Sequence, residues 1–426
     1  AIHVNSIMKQ NRQKWFSLFS CNFFGVFNDN FLKNSIIFVT VAWSLPAWLS
    51  HSQLISIVSS CLVIPYLIFS PLGGRLAVRH SKLKVFRVLK LLEIPIMMIA
   101  CLAFYMQWVV LAVVSMLIMG TQSSLYSPSK YSLIRDIGGE EGASFGSGMF
   151  ETMAFLGILL GTLIASIVSD HYSFWLFTVI ILGVALFGYL AARSIRAEEL
   201  PAQKTGSETL NPIRFVRDNY RYARDHKLVN SAIFGSSAFW LISGMVQMNV
   251  IIHCKNVYQV SNSLTGLVMA FAAIGIAAGT SITGKLSGTV VRKGLIIPAL
   301  SGMILCLMLL LLIPLPFAGF VAGIMLFAGI AGVFQVPCMA MMQHANLGRK
   351  RGDSIAYLNM VNFIFILIGT GLFSLTTALT GENSFAVFGV MIAVCVLILV
   401  YFSTRYADFR TETLQMFGIS QKTGKQ

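Results

Sequence analysis

Twelve long apolar runs constrain this chain more than any other feature. A helix that crosses a bilayer needs about 20 mostly apolar residues. Such runs fall at roughly 16–44, 52–76, 86–107, 109–134, 143–168, 172–193, 230–253, 263–286, 294–315, 318–343, 354–379 and 384–404. The composition agrees: 56% of the residues are hydrophobic and only 11% are charged, where a soluble domain carries about 25% charge. The expectation is an all-α polytopic membrane protein. The first fourteen residues are polar and basic, and the run after them is too long for the apolar region of a signal peptide, so it reads as span 1.

The net charge of +15 sits mainly between the spans. Loop 2–3 holds "RHSKLK", loop 8–9 "KLSGTVVRKG" and loop 10–11 "LGRKRGD", and both termini are basic. The alternate loops, such as "PAWLSHS", "SDHYS" and "TGENS", are nearly free of base, with Lys255 the exception. Lysine and arginine mark cytoplasmic loops, so both termini are expected in the cytoplasm and nucleic acid is not an expected partner. The seven cysteines and seven histidines show no C-x-x-C or H-x-x-x-H spacing. No disulfide, metal or cofactor is expected, and no nucleophile–base constellation suggests an enzyme.

The longest polar stretch, 194–229, separates six spans from six. Its second half is basic and carries Phe215, Val216, Tyr220 and Tyr222, which fits either a short amphipathic helix on a membrane surface or a solvated linker. A repeat joins the two halves. "YSPSKYSLIRDIGGEEGASFGSGMFETMAFLGILLGT" corresponds to "FQVPCMAMMQHANLGRKRGDSIAYLNMVNFIFILIGT", so that Pro128 matches Pro337 and Leu160-Gly161-Thr162 matches Ile368-Gly369-Thr370. Two parallel six-helix halves resemble the major facilitator superfamily fold, in which spans 1, 4, 7 and 10 line a central cavity. The expected division is a first bundle over 1–193, a linker over 194–229, a second bundle over 230–405 and a cytoplasmic tail over 406–426.

Ionisable groups inside a membrane are expensive and point to function. Here they are Asp29 and Lys33 in span 1, Glu93 in span 3, Lys130 in span 4 and Glu151 in span 5. The second half offers amides instead: Gln247, Asn249, Gln335, Gln343, Asn359 and Asn362. Asp29 lies about 20 Å along span 1, near mid-membrane, with Lys33 one turn on and on the same face. The stretch "FNDNFLKN" therefore reads as a polar face of a cavity helix, with Asn28 and Asn30 beside Asp29. Glu93 with Lys90 reads as a structural ion pair, and Lys130 with Glu151 either as a packing bridge within the first half or as functional groups. Pro128 frees a backbone carbonyl near Lys130, a candidate anion-binding point. The pairs Gly157/Gly161 and Gly275/Gly279 read as close helix contacts.

At "FNDNFLKN" and "YSPSKYSLIRD" the chain resembles the LplT-type lysophospholipid transporters of the major facilitator superfamily, and the transporter part of fusions that add acyltransferase and acyl-ligase domains. The matching elements are Phe27–Asn30, Tyr126–Tyr131 and Val336-Pro337. One departure stands out: Val78 occupies the place of the aspartate in the superfamily's loop 2–3 signature, which puts that cytoplasmic latch in doubt. The resemblance implies a flippase of the bacterial inner membrane. It would carry single-acyl phospholipids from the outer to the cytoplasmic leaflet, where an acyltransferase partner restores the second chain. Asp29, Asn28, Asn30, Lys33, Tyr126, Lys130, Tyr131, Glu151, Gln335, Asn359 and Asn362 are the expected substrate-binding or gating residues. The alternative is an ion-coupled transporter of drugs or small solutes.

Overall fold

The computed structural model describes residues 2–199, 212–287, 291–345 and 351–416, and the regular structure among them is helical. The helices are α1 (Ile2–Val39), α2 (His51–Arg79), α3 (Lys82–Tyr105), α4 (Val109–Asp170), α5 (Phe174–Ser194), α6 (Pro212–Asp225), α7 (Lys227–His253), α8 (Asn262–Ser287), α9 (Ile296–Leu312), α10 (Phe317–His344), α11 (Arg351–Thr380), α12 (Ser384–Arg405) and α13 (Ala407–Met416). Among the described residues, eleven segments are long and apolar enough to cross a membrane. They correspond to expected spans 2–12. The twelfth crossing of the major facilitator architecture is α1, which falls outside that set because Asn22, Asn28, Asp29, Asn30, Lys33 and Asn34 lower its hydropathy.

Spans 4 and 5 are two arms of the 62-residue element α4. A straight helix would place Lys130 and Phe150 about 30 Å apart. The Lys130 ammonium is instead 5.3 Å from the Phe150 ring, so the chain reverses between them.

Two compact units divide between Arg214 and Phe215; the first turn of α8, Ser261–Gly266, groups with the first unit. There the Asp170 carboxylate accepts the backbone N–H groups of Asn262 and Ser263 at 2.8 and 2.7 Å, satisfying donors that a helix start leaves open. In the first unit α1 packs against α2, α4 and α5, and α3 against α4 and α5. In the second, α7 is surrounded by α10, α11 and α12.

The internal repeat has a physical basis. A Cβ added at Gly161 would lie 2.6 Å from the Phe27 carbonyl oxygen of α1, and one at Gly369 would lie 2.9 Å from the Leu241 carbonyl oxygen of α7. In each half the fifth span lacks a side chain where the first span's backbone crosses it. Gly157 gives α1 the same clearance, and Gly275 and Gly279 do so between α8 and α10.

Lys90 and Glu93 form a fully buried ion pair. The second Glu93 oxygen accepts from Asn28 Nδ2 at 2.9 Å, and the Lys90 ammonium lies 5.7 Å from the Tyr126 ring centroid. Each charge is compensated, which a buried charge requires.

Elsewhere in the first unit, Glu199 accepts from Ser81 Oγ at 2.8 Å and from the Lys82 and Leu83 N–H groups at 2.6 and 3.1 Å. It caps the start of α3, where the helix dipole favours an anion. Lys82 also pairs with Asp136 of α4 at 2.7 Å. Loop 2–3 is thus held by Glu199 and Asp136; the side chain of Val78 is outside the described set. The first residues of the expected linker belong to this packing, since Ile195 is buried and its carbonyl accepts from Arg87 at 2.7 Å.

The second bundle, expected to end at 405, also holds α13. Tyr406 and Phe409 are buried, Glu412 accepts from the Gly294 N–H at 3.2 Å, and Asp408 pairs with Lys227 at 2.7 Å. Residues 417–426 of the expected tail lie outside the described residues.

Glu93→Ala is expected to destabilise the protein by about 3–5 kcal/mol because it strands the Lys90 ammonium. The paired change Lys90→Met with Glu93→Leu should cost much less. Thermal unfolding of the purified protein distinguishes the two; equal losses would contradict the pairing.

Candidate functional site

The polar residues of "FNDNFLKN" point in three directions, as about 100° per residue requires. Asn28 faces α3 and α5, donating to Glu93 and, at 3.2 Å, to the Ile181 carbonyl. Asn30 donates to the Val26 carbonyl of its own helix at 2.9 Å. Asn34 donates to Thr162 Oγ1 on α4 at 3.1 Å. Only Asp29 and Lys33 share the stripe that also carries Asn22. The single polar face expected from the sequence is therefore a two-charge stripe, with the asparagines bonded into the bundle.

Asp29 receives the Ser123 hydroxyl between its two oxygens, at 3.1 and 3.2 Å. Ser123 lies against Gln122 Oε1 at 3.3 Å, and Gln122 Nε2 holds the Leu89 carbonyl at 2.8 Å. The carboxylate is thereby tied through α4 to α3. Asp29 and Lys33 are each buried at 8% exposure, while Asn28 is fully sealed. The ion pairs among the described residues do not include Asp29 or Lys33.

Lys130 lies in an aromatic cage. Its ammonium is 5.3, 5.5 and 5.3 Å from the rings of Tyr126, Tyr131 and Phe150, distances at which ring quadrupoles attract a cation. Lys130 donates to Asn22 Oδ1 at 3.1 Å, and Asn22 Nδ2 holds the Phe150 carbonyl at 2.8 Å. The spacing of "YSPSKY" explains itself here. Tyr126 and Lys130 are one turn apart on one face, and the buried Tyr126 ring serves both Lys130 and Lys90. The carbonyl that Pro128 frees is that of Ser124, four residues earlier. It faces Gly73 of α2, where a Cβ would lie 2.9 Å from it. The side chain of Glu151 lies outside the described set.

The amides of the second unit are built into its own packing. Ser237 donates to Asn362 Oδ1 at 2.9 Å, Gln335 Nε2 donates to Ser236 Oγ at 3.1 Å, and Asn249 donates to the Ser384 carbonyl at 3.1 Å. Asn359 is exposed, and the Gln343 side chain is outside the described set.

Sequence reasoning missed Ser123, Asn22, Tyr66 and His253. Ser123 precedes Tyr126 and Lys130 by three and seven residues, so the helical repeat placed it on the same face. The backbone carbonyl of Tyr66 on α2 accepts from the Ser70 hydroxyl. His253 closes α7 with Nδ1 2.8 Å from Ser384 Oγ, packed among Phe320, Phe385 and Phe388.

The arrangement presents one carboxylate and two ammonium groups of different accessibility along α1 and α4, a pattern suited to a ligand bearing both charge signs. Ser123→Ala removes the hydroxyl from Asp29 and is expected to lower stability by about 1.5–3 kcal/mol, as for hydrogen bonds to charged groups. Ser123→Thr should keep most of it. Melting temperatures of the two variants check this; indistinguishable melts would contradict it.

The chain is 24% identical over 405 residues to "Lysophospholipid transporter LplT" of Klebsiella pneumoniae subsp. pneumoniae, covering 88% of this chain and 96% of that protein. It is 24% identical over 377 residues to the protein of the same name in Yersinia enterocolitica, covering 84% and 85%. Among solved structures it resembles a point mutant of the nucleoside transporter NupG, with a TM-score of 0.70 at 13% identity, over 92% of this chain and 99% of that one. The human organic anion transporter MFSD10 (TETRAN) gives a TM-score of 0.63 at 16% identity, with coverage of 92% and 99%. With helical halves built on one repeat, and a family model matched over residues 18–370, the chain belongs to the Major Facilitator Superfamily.

Proposed function

We propose that this multi-pass secondary transporter carries lysophospholipids, from the outer to the cytoplasmic leaflet of a bacterial inner membrane, by alternating access. The observation that supports this most is the concentration of buried charge on α1 and α4 of the first unit. Asp29 suits the ammonium of a zwitterionic headgroup and Lys33 its phosphate, with Lys130 as a further cation. The second unit is largely apolar, with amides bonded inside its own packing, a composition that suits an acyl chain better than a sugar. Relatives of similar length carry the name of lysophospholipid transporter. Both termini lie in the cytoplasm by the lysine and arginine bias, and an acyltransferase on that side consumes the product.

Proteoliposomes containing labelled lysophosphatidylethanolamine or its diacyl counterpart test the proposal. Selective translocation of the single-chain lipid is expected, and equal or absent translocation would refute it. Asp29→Asn should cut transport at least tenfold in a correctly inserted protein. Lys130→Ala should raise the half-saturating substrate concentration by about 30-fold or more, as the loss of one charged partner of a buried contact, about 2–5 kcal/mol, implies. Collapse of proton and sodium gradients separates this reading from ion-coupled transport of small solutes.

A further inference from the structure

Helix α6 is the one described amphipathic element outside the spans, and its faces are sharply sorted. Ala223 is buried, and Phe215, Val216, Asn219 and Tyr222 are partly buried, on one side of the helix. The other side is solvent-exposed, and about 100° per residue orders it. Tyr220 and Ile213 come first, 54% and 78% exposed. Next comes a stripe of Arg224, Arg217, Arg221 and Arg214, all exposed. Asp225 and Asp218 close the arc, against Arg224 and Arg217 at 3.5 and 3.6 Å. Those exposed neighbouring pairs contribute little. The stripe keeps a net positive field beside an apolar edge.

The joint to α7 fixes where this helix sits. Only His226 separates Asp225, the end of α6, from Lys227, the start of α7. A candidate membrane span also begins at Lys227. His226 adopts φ −116° and ψ 92°, an extended conformation, so the chain turns there and α6 does not continue the axis of α7. The last turn of α6 is therefore level with the end of a membrane span while its axis departs from that span. A solvated linker has no physical need for an isoleucine and a tyrosine along the edge of an arginine row. An interfacial helix does, because its apolar edge enters the acyl boundary while its cations meet phosphates.

We infer that α6 is a lipid-binding element that docks on anionic phospholipid headgroups, with Ile213 and Tyr220 entering the acyl boundary and Arg214, Arg217, Arg221 and Arg224 holding phosphates. Arginine suits this role because its planar fork binds phosphate oxygens in pairs. Each basic residue near an anionic leaflet strengthens attachment by a factor of about five. The inference concerns the linker and stands whether or not the transported substrate is a lysophospholipid.

The test uses the full chain in liposomes. Ile213→Cys is labelled with an environment-sensitive nitrobenzoxadiazole dye in a Cys306→Ser background, since the other six cysteines are buried. In vesicles with about a third phosphatidylglycerol, blue-shifted emission and quenching by nitroxide-bearing lipids are expected. Both signals should fall severalfold in pure phosphatidylcholine, at high salt, and when the four arginines are changed to glutamine. These exposed changes should leave the melting temperature unaltered. A label in water in both vesicle types would overturn the inference. So would equal burial in both, or a shift produced by polyglutamate in phosphatidylcholine vesicles but not by anionic lipid, which would point to an acidic protein partner.

Discussion

Asp29 cannot be held inside a membrane without a donor, and Ser123 is that donor. The Ser123 hydroxyl lies between both carboxylate oxygens, so α4 must pack on α1 at one register. Gly157 and Gly161 permit that register from the other arm of α4, where α1 crosses too closely for any side chain. Lys130 and Asn22 fix it a second time near Phe150. In a medium without water the partners of a few polar atoms outweigh most apolar contacts in selecting an arrangement, since each unpaired group costs several kcal/mol.

The buried charges divide into two sets by accessibility. Lys90, Glu93 and Asn28 are sealed and mutually satisfied. Asp29 and Lys33 keep a small exposure and make no ion pair among the described residues. Tyr126 joins the sealed set to Lys130, because its ring faces the ammonium of Lys90 and that of Lys130. A change at Tyr126 therefore acts on the structural pair and on the candidate site together.

The spans were legible because hydrophobic length is a local property. The repeat was legible for a related reason: Gly161 and Gly369 hold equivalent backbone crossings, and Pro128 and Pro337 both lie inside a helix. The Lys90–Glu93 pair could be read from a spacing of three on one helix. Side-chain direction was harder. The sequence groups Asn28, Asp29 and Asn30 as neighbours, whereas the helix sends them to three different partners. Ser123 was hidden among other small polar residues of span 4, and only its alignment with Tyr126 and Lys130 distinguishes it. The packing of α13 depends on Gly294, 118 residues from Glu412, a separation no local pattern records.

The asparagines of α1 also set an order of assembly. Asn28 and Asn22 find carbonyl partners 153 and 128 residues later in the chain, and Asn34 finds the Thr162 hydroxyl 128 residues later. When α1 leaves the ribosome none of these partners has been made, and α1 is less apolar than the spans that follow. A helix in that condition gains little from entering lipid alone. It must wait beside the insertion machinery, or at the water interface, until the second arm of α4 and then α5 arrive. The residues that motivate a role for α1 in the proposed site thus also tie it to partners made later, although it is the first to be synthesised.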